Sequence, residues 1–130
     1  MIAIDTSALM AILRKEIMGA ACEAALKIDQ PLLMSAGTLA EALIVARRKG
    51  ALPGMTVLLD LLELTIVDVT TDVAQACLEA YQTWGKGFHA AELNYGDCFA
   101  YVTAKSNDCP LLYIGNDFAR TDIRSALAST

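Results

Sequence analysis

Residues 1–13, Met-Ile-Ala-Ile-Asp-Thr-Ser-Ala-Leu-Met-Ala-Ile-Leu, join a short apolar strand to a helix through a single acidic residue, Asp5. Residues 2–5 have the length and composition of a buried strand, and apolar residues recur on one face of the helix that follows. Thr6 or Ser7 can cap that helix. The same strand-to-helix unit returns along the chain, and this alternation predicts an α/β fold with a parallel sheet.

Four apolar runs are predicted to be strands, at residues 2–5, 31–35, 65–69 and 111–114. Helical periodicity and capping residues place the helices between them, at residues 6–13, 16–28, 38–49, 55–64, 70–84 and 97–106. Residues 85–96 contain three glycines and are predicted to form a loop. No repeat, low-complexity tract or linker divides the sequence, so we expect a single domain over residues 1–130.

The composition is unusually apolar, with 55% hydrophobic residues among 130 and a mean hydropathy of +0.44. No uncharged run approaches the roughly 18–20 residues that a membrane span needs. A sheet buried on both faces, together with a subunit interface, accounts for the excess of apolar residues, so we expect a homodimer. Met1 leads directly into a strand without a basic segment, which predicts a cytoplasmic protein without a signal peptide.

The formal charge of −5 argues against a protein that coats nucleic acid through a basic surface. It leaves room for a nucleic-acid enzyme whose acidic site is neutralised by metal ions. The four cysteines are scattered and His89 is the single histidine, so a zinc site is not expected. We interpret the cysteines as small buried thiols.

Acidic residues recur where the predicted strands give way to a helix or turn. They are Asp5, Glu41, Asp97 and Asp117. Because ligands bind at the carboxyl ends of the strands in an open parallel sheet, we expect these side chains to face one cleft. Such a cluster cannot be fully ionised without a compensating cation, and oxygen ligands suit Mg²⁺ or Mn²⁺. The pattern therefore predicts a metal-dependent hydrolase of phosphate esters.

Each of these acids also has a purely structural explanation. Asp5 and Asp97 could be ordinary helix caps. Glu41 follows Thr38 at the spacing of a capping box, and Asp117 could be a turn residue beside Asn116. Four independent caps need not all fall at the same edge of a sheet, which favours the functional interpretation.

Four segments resemble the PIN-domain ribonucleases, and specifically the toxins of VapBC-type toxin–antitoxin pairs. They are Met-Ile-Ala-Ile-Asp-Thr-Ser-Ala-Leu (1–9), Met-Ser-Ala-Gly-Thr-Leu-Ala-Glu-Ala (34–42), Leu-Asn-Tyr-Gly-Asp-Cys-Phe-Ala-Tyr (93–101) and Leu-Leu-Tyr-Ile-Gly-Asn-Asp-Phe-Ala-Arg-Thr-Asp-Ile (111–123). The resemblance implies a three-layer α/β/α sandwich around a parallel sheet. It also implies a toxin that cleaves RNA with Mg²⁺ or Mn²⁺ and is inhibited by a VapB-like antitoxin.

Carried over by position, the resemblance implies that Asp5, Glu41, Asp97 and Asp117 form the catalytic acidic quartet. Asp5, Asp97 and Asp117 would bind metal, while Glu41 would ligate through water or orient the nucleophile.

Two residues are predicted to contact the substrate. Thr6, like Ser7, could donate a hydrogen bond to Asp5 or to a phosphate oxygen, and Arg120 could steer the RNA backbone toward the site. Some relatives carry a second acid where this chain has Asn116. The role of Asp122 stays open.

Three other classes of protein compete with this interpretation. A haloacid-dehalogenase-like phosphatase would use Asp5 as nucleophile but usually needs a second Asp where Ser7 stands. A receiver domain needs an acid after its third strand, whereas Asp68 is predicted to lie within that strand. A degenerate PIN domain that only binds a partner would not need the intact quartet.

Overall fold

A computed structural model describes residues 1–127, so positions 128–130 of the predicted domain lie outside the described residues. The strands are β1 (Ile2–Ile4), β2 (Leu32–Ser35), β3 (Thr65–Val67) and β4 (Leu111–Leu112). The helices are α1 (Thr6–Leu13), α2 (Gly19–Leu26), α3 (Ala36–Arg48), α4 (Leu52–Leu62), α5 (Thr71–Trp84) and α6 (Tyr95–Ser106), and a 3₁₀ turn spans Phe118–Arg120.

The four strands form one parallel sheet in the order β3-β2-β1-β4. Ala3 of β1 pairs with Leu33 of β2 on one side and with Leu111 of β4 on the other. The two strands at the centre, β1 and β2, are buried along their whole length. The carboxyl ends of β1, β2 and β4 therefore meet at one edge, as the alternation of strands and helices predicts.

Helices cover both faces of this sheet. On one face, Ala3, Leu33 and Leu111 pack with α5 and α6 in one apolar cluster. On the other face, the alternate strand residues pack with α1, α2, α3 and α4; they are Ile2, Ile4, Leu32, Met34 and Leu112. This arrangement confirms the predicted three-layer α/β/α sandwich, and the double coverage explains why the strands are apolar without alternation.

Several predicted boundaries were wrong; one of these errors bears on the site and another on the receiver-domain interpretation. Ser35 caps α3, since its side chain accepts a hydrogen bond from Gly37 N at 3.1 Å. Glu41 therefore lies in the second turn, so the structural alternative in which Glu41 forms a capping box with Thr38 is wrong. Strand β3 ends at Val67, so Asp68 follows the strand instead of lying within it.

Over residues 1–127, no helix is long and apolar enough to cross a membrane. The prediction of buried thiols is correct for Cys22, Cys98 and Cys109, whereas Cys77 is partly exposed. The cytoplasmic location stays a prediction.

Candidate active site

Asp5 lies between the end of β1 and the start of α1, and its side chain is 4% exposed. It caps α1 itself, in place of the predicted Thr6 or Ser7, because its Oδ2 accepts a hydrogen bond from Ser7 N at 3.1 Å. Its other carboxylate oxygen, Oδ1, is buried without a hydrogen-bond partner. Burial raises the pKa of Asp5 to about 6, although hydrogen bonds from Ser7 oppose this shift and the charge of Glu41 adds to it.

Ser7 connects Asp5 to the end of the neighbouring strand β4. The Ser7 hydroxyl donates to Asp5 Oδ2 at 2.6 Å, and it accepts a hydrogen bond from Ile114 N at 3.0 Å. One oxygen of Asp5 is thus fixed by Ser7, while Oδ1 is left free for another ligand.

Glu41 reaches the same edge of the sheet from α3. Its Oε1 accepts a hydrogen bond from the Thr6 hydroxyl at 2.8 Å, which is shorter than the 3.4 Å contact of the same hydroxyl with the Thr38 carbonyl oxygen. The structure therefore places Thr6 as a support for Glu41, and the predicted donation from Thr6 to a phosphate is not what this arrangement favours.

Asp97 belongs to the first turn of α6, where it forms a capping box with Asn94. Asn94 N donates to Asp97 Oδ2 at 3.0 Å, and Asp97 N donates to Asn94 Oδ1 at 2.9 Å. Asn94 is therefore the cap, and Asp97 is the third helical residue. Burial and then the charges of Asp5, Asp117 and Glu41 raise the pKa of Asp97 to about 7, against the hydrogen bond from Asn94.

One open cavity of about 380 Å³ collects these side chains. Asp5, Glu41 and Asp97 line it together with Thr6, Ser7, Met10, Glu16, Val45, Lys49 and Ile114. Three of the four predicted acids are thus brought together. A lysine at the carboxyl end of a helix is ordinarily solvated, and only the fold shows that Lys49 lines the same cavity as the three carboxylates.

The remaining predicted residues lie outside the lining of this cavity. Asp117 is exposed at the start of the 3₁₀ turn, although its charge contributes to the raised pKa of Asp97. The guanidinium of Arg120 donates from Nη1 to the carbonyl of Ala90 at 3.0 Å, so in this structure Arg120 holds the loop before α6.

Asp122 takes part in a hydrogen-bond network outside the acidic cavity. Its Oδ1 accepts a hydrogen bond from the Tyr101 hydroxyl at 2.6 Å, and its Oδ2 forms an ion pair with Lys105 Nζ at 2.9 Å. Trp84 Nε1 donates to the same Tyr101 hydroxyl at 2.9 Å. This network joins α5, α6 and the segment after the 3₁₀ turn, away from the acidic cavity.

The donor set suits a hard divalent cation. The unpartnered Oδ1 of Asp5 is a buried anionic oxygen that a cation would satisfy. Within residues 1–127, no three His, Cys, Asp or Glu side chains converge tightly enough to enclose a metal by themselves. Mg²⁺ commonly binds through one or two carboxylates and keeps several waters, so an open arrangement of this kind fits it.

The comparison with protein families agrees with this geometry. The PIN domain family model matches residues 2–124, and the chain belongs to the PIN-domain family. Ribonuclease VapC30 of Mycobacterium tuberculosis is 43% identical over 123 residues, covering 92% of this chain and 94% of the relative. Ribonuclease VapC of Mycolicibacterium smegmatis is 41% identical over 123 residues, covering 92% and 95%.

Solved structures show the same fold at low sequence identity. VapC20 of Mycobacterium tuberculosis, a sarcin-ricin loop cleaving toxin, has a TM-score of 0.78 at 14% identity and covers 98% of this chain and 100% of its own. A toxin–antitoxin complex from Klebsiella pneumoniae has a TM-score of 0.70 at 18% identity and covers 94% and 93%. These comparisons confirm the recognised family and favour neither the phosphatase nor the binding-module alternative.

Proposed function

We propose that this protein is the toxin of a toxin–antitoxin pair and cleaves RNA phosphodiester bonds with Mg²⁺ or Mn²⁺. The observation that carries the proposal is the meeting of Asp5, Glu41 and Asp97 around one cavity, with Asp5 Oδ1 unpartnered. Relatives over 40% identical along almost the whole chain are named ribonucleases, which supports the same reaction class here.

Each acidic side chain has a distinct task in this proposal. Asp5 Oδ1 and the Asp97 carboxylate would hold the cation, and Asp117 would join them from the exposed rim. Glu41, held by Thr6, would orient the attacking water in line with the leaving oxygen. A bound divalent ion lowers the pKa of water and offsets negative charge on the phosphate.

Lys49 gives the cavity a cationic side chain. It follows α3 directly as the residue that caps its carboxyl end, and it lines the cavity with the three acids. A lysine in this place can pair with a non-bridging phosphate oxygen of the RNA and draw the backbone to an otherwise acidic surface.

The direct test is cleavage of single-stranded RNA by the purified protein in Mn²⁺, Mg²⁺ or EDTA. We expect internal cleavage in either metal and none in EDTA, with activity restored when Mn²⁺ is added in excess. Cleavage that persists undiminished in EDTA would contradict the metal requirement. No cleavage of any RNA despite measurable Mn²⁺ binding would favour a degenerate PIN domain that only binds its partner.

The proposed partner is a VapB-like antitoxin. The acidic cavity is suited to receive a basic side chain from such a partner, which would compete with metal or RNA for the carboxylates. The Klebsiella pneumoniae structure with the same fold is a toxin–antitoxin complex, which supports a partner of this class.

A homodimer is also part of the proposal. We place its interface on residues 16–28 and 55–64, which expose large apolar side chains: Ile17 is 97% and Ile28 62% exposed beside α2, and Leu61 is 74% exposed on α4. Sedimentation at micromolar concentration should give a species of twice the 13.9 kDa chain mass. A single 13.9 kDa species would refute the dimer.

A further inference from the structure

Gly96 lies next to the Glu41 carboxylate, and its own backbone conformation does not explain why a glycine stands there. It is the second residue of α6, between Tyr95 and Asp97, and it is not among the glycines with positive φ. Glycine destabilises a helix relative to alanine. The benefit must therefore lie in the absence of a side chain.

The space next to Gly96 is taken by the Glu41 carboxylate. A methyl group on Gly96 would overlap Glu41 Oε2 and would lie 2.9 Å from Glu41 Cδ. Such contacts are too short for real side chains, so any residue larger than glycine would displace the carboxylate. The bare backbone of α6 thus forms one wall of the place where Glu41 lies.

Thr6 forms the opposite wall. Its hydroxyl donates to the other Glu41 oxygen, Oε1, at 2.8 Å, and the Thr6 residue is 6% exposed. One carboxylate oxygen therefore accepts a hydrogen bond from α1 and the other lies against the backbone of α6, although Glu41 itself belongs to α3. A glutamate has three rotatable bonds, so without these walls it would sample other positions in the cavity.

We propose that Thr6 and Gly96 form a clamp that holds the Glu41 carboxylate beside Asp5 and Asp97. Both are positioning residues, and neither needs to touch metal or RNA. The inference rests on the proposed ribonuclease function, in which Glu41 orients the attacking water. The Thr6 hydroxyl and the missing Cβ of Gly96 together set the orientation of the Glu41 carboxylate.

Gly96→Ala is the sharpest perturbation of this clamp. The displaced group is the end of a flexible side chain, so we expect the fold to survive while the Thr6–Glu41 hydrogen bond is lost. Gly54→Ala is the matched control: Gly54 also lies in the first turn of a helix, α4, and its added Cβ would meet Leu13 Cδ2 at 3.3 Å and no acid.

Metal binding and cleavage report on the position of Glu41. Loss of a supporting contact behind a metal site reduces metal affinity or activity by about 10- to 100-fold, and we expect this loss in Gly96→Ala and not in Gly54→Ala. Thr6→Val should lose activity, whereas Thr6→Ser, which keeps the hydroxyl, should restore most of it. In a Glu41→Ala background, Gly96→Ala should cause no further loss, because the group it displaces is already absent.

The experiment compares these variants by Mn²⁺ calorimetry, RNA cleavage and crystal structures without metal. A Gly96→Ala structure with the Thr6–Glu41 hydrogen bond intact would overturn the clamp. The clamp would also be overturned if Gly96→Ala reduced RNA cleavage equally in the wild-type and Glu41→Ala backgrounds, since Gly96 would then act on RNA directly. If the wild type neither binds Mn²⁺ nor cleaves RNA, the proposed function fails, while the crystal structures still decide the position of Glu41.

Discussion

Asp5→Asn should make the metal-free protein more stable at high pH and leave it unchanged at low pH. Asn keeps the cap of α1, since it caps a helix about as well as Asp, and it removes the buried charge. Burial raises the pKa of Asp5 from 3.8 to about 6. At ~1.4 kcal/mol for each pKa unit, this difference corresponds to about 3 kcal/mol of unfavourable ionisation in the folded state.

The sign of the pH dependence follows from proton binding in the two states. Between pH 4 and pH 6 the folded wild type retains the Asp5 proton that the unfolded chain has already released, so its stability falls as pH rises. The penalty is absent below pH 4 and complete above pH 6 to 7. Asp5→Asn lacks this term, and its advantage over wild type should grow across that window toward an upper limit of about 3 kcal/mol.

Urea unfolding of both proteins in EDTA, at several values between pH 4 and pH 8, measures this difference. Mn²⁺ should then stabilise the wild type and have little effect on Asp5→Asn, because binding to the folded state requires the free Oδ1. A stability difference that stays constant across the pH range would refute the account of a desolvated, unpartnered carboxylate.

Three further perturbations separate catalytic, structural and biological roles. Lys49→Ala should raise KM for RNA about fivefold with little change in kcat, as expected for loss of a phosphate contact. Arg48→Ala changes a cation on the same helix end but outside the cavity lining, so it should leave KM unchanged. Equal increases of KM in the two variants would remove Lys49 from the site. Asp122→Asn should lower the free energy of unfolding by about 1 kcal/mol in urea at pH 7 by weakening the Tyr101 and Lys105 contacts, and unchanged stability with lost cleavage would instead place Asp122 in the reaction. Expression without an antitoxin should arrest growth of the host, and full yield with no growth defect would count against a toxin.

The fold could be predicted from the sequence because, in the central strands, the apolar runs and the capping residues agree with the alternation of strands and helices along the chain. An apolar run ends at Asp5, a helix begins at once, and the same strand-to-helix unit recurs where β2 ends. Boundaries near Glu41 were harder, since Thr38 stands at capping-box spacing from it while the actual cap is the earlier Ser35. The spacing of Thr38 and Glu41 is that of a real capping motif, and only tertiary packing decides which hydroxyl caps the helix.

Three of the four acids predicted from the sequence meet in the cavity, whereas Asp117 lies outside its lining, and the contributions of Lys49 and Gly96 were not predicted. Asp5 follows β1 and Asp97 lies in the first turn of α6, while Glu41 reaches the same edge of the sheet from the second turn of α3. Lys49 and Gly96 carry no such signal, because a lysine at a helix end is common and a glycine is informative only once its neighbour is known. Their placement depends on how α3 and α6 cross, which side-chain periodicity does not specify.

RNA cleavage by wild type, Asp97→Asn and Asp72→Asn in Mn²⁺ tests the central claim most directly. Asp72 is also an acid in the first turn of a helix, but on α5 and exposed. We expect Asp97→Asn to melt at or above the temperature of wild type in EDTA, because it removes a charge whose pKa is raised in the folded state. It should lose cleavage by at least about 100-fold, since it removes a metal-binding charge, while Asp72→Asn keeps full activity. Retained cleavage in Asp97→Asn would reduce Asp97 to a capping residue and contradict an acidic metal cluster at this edge of the sheet.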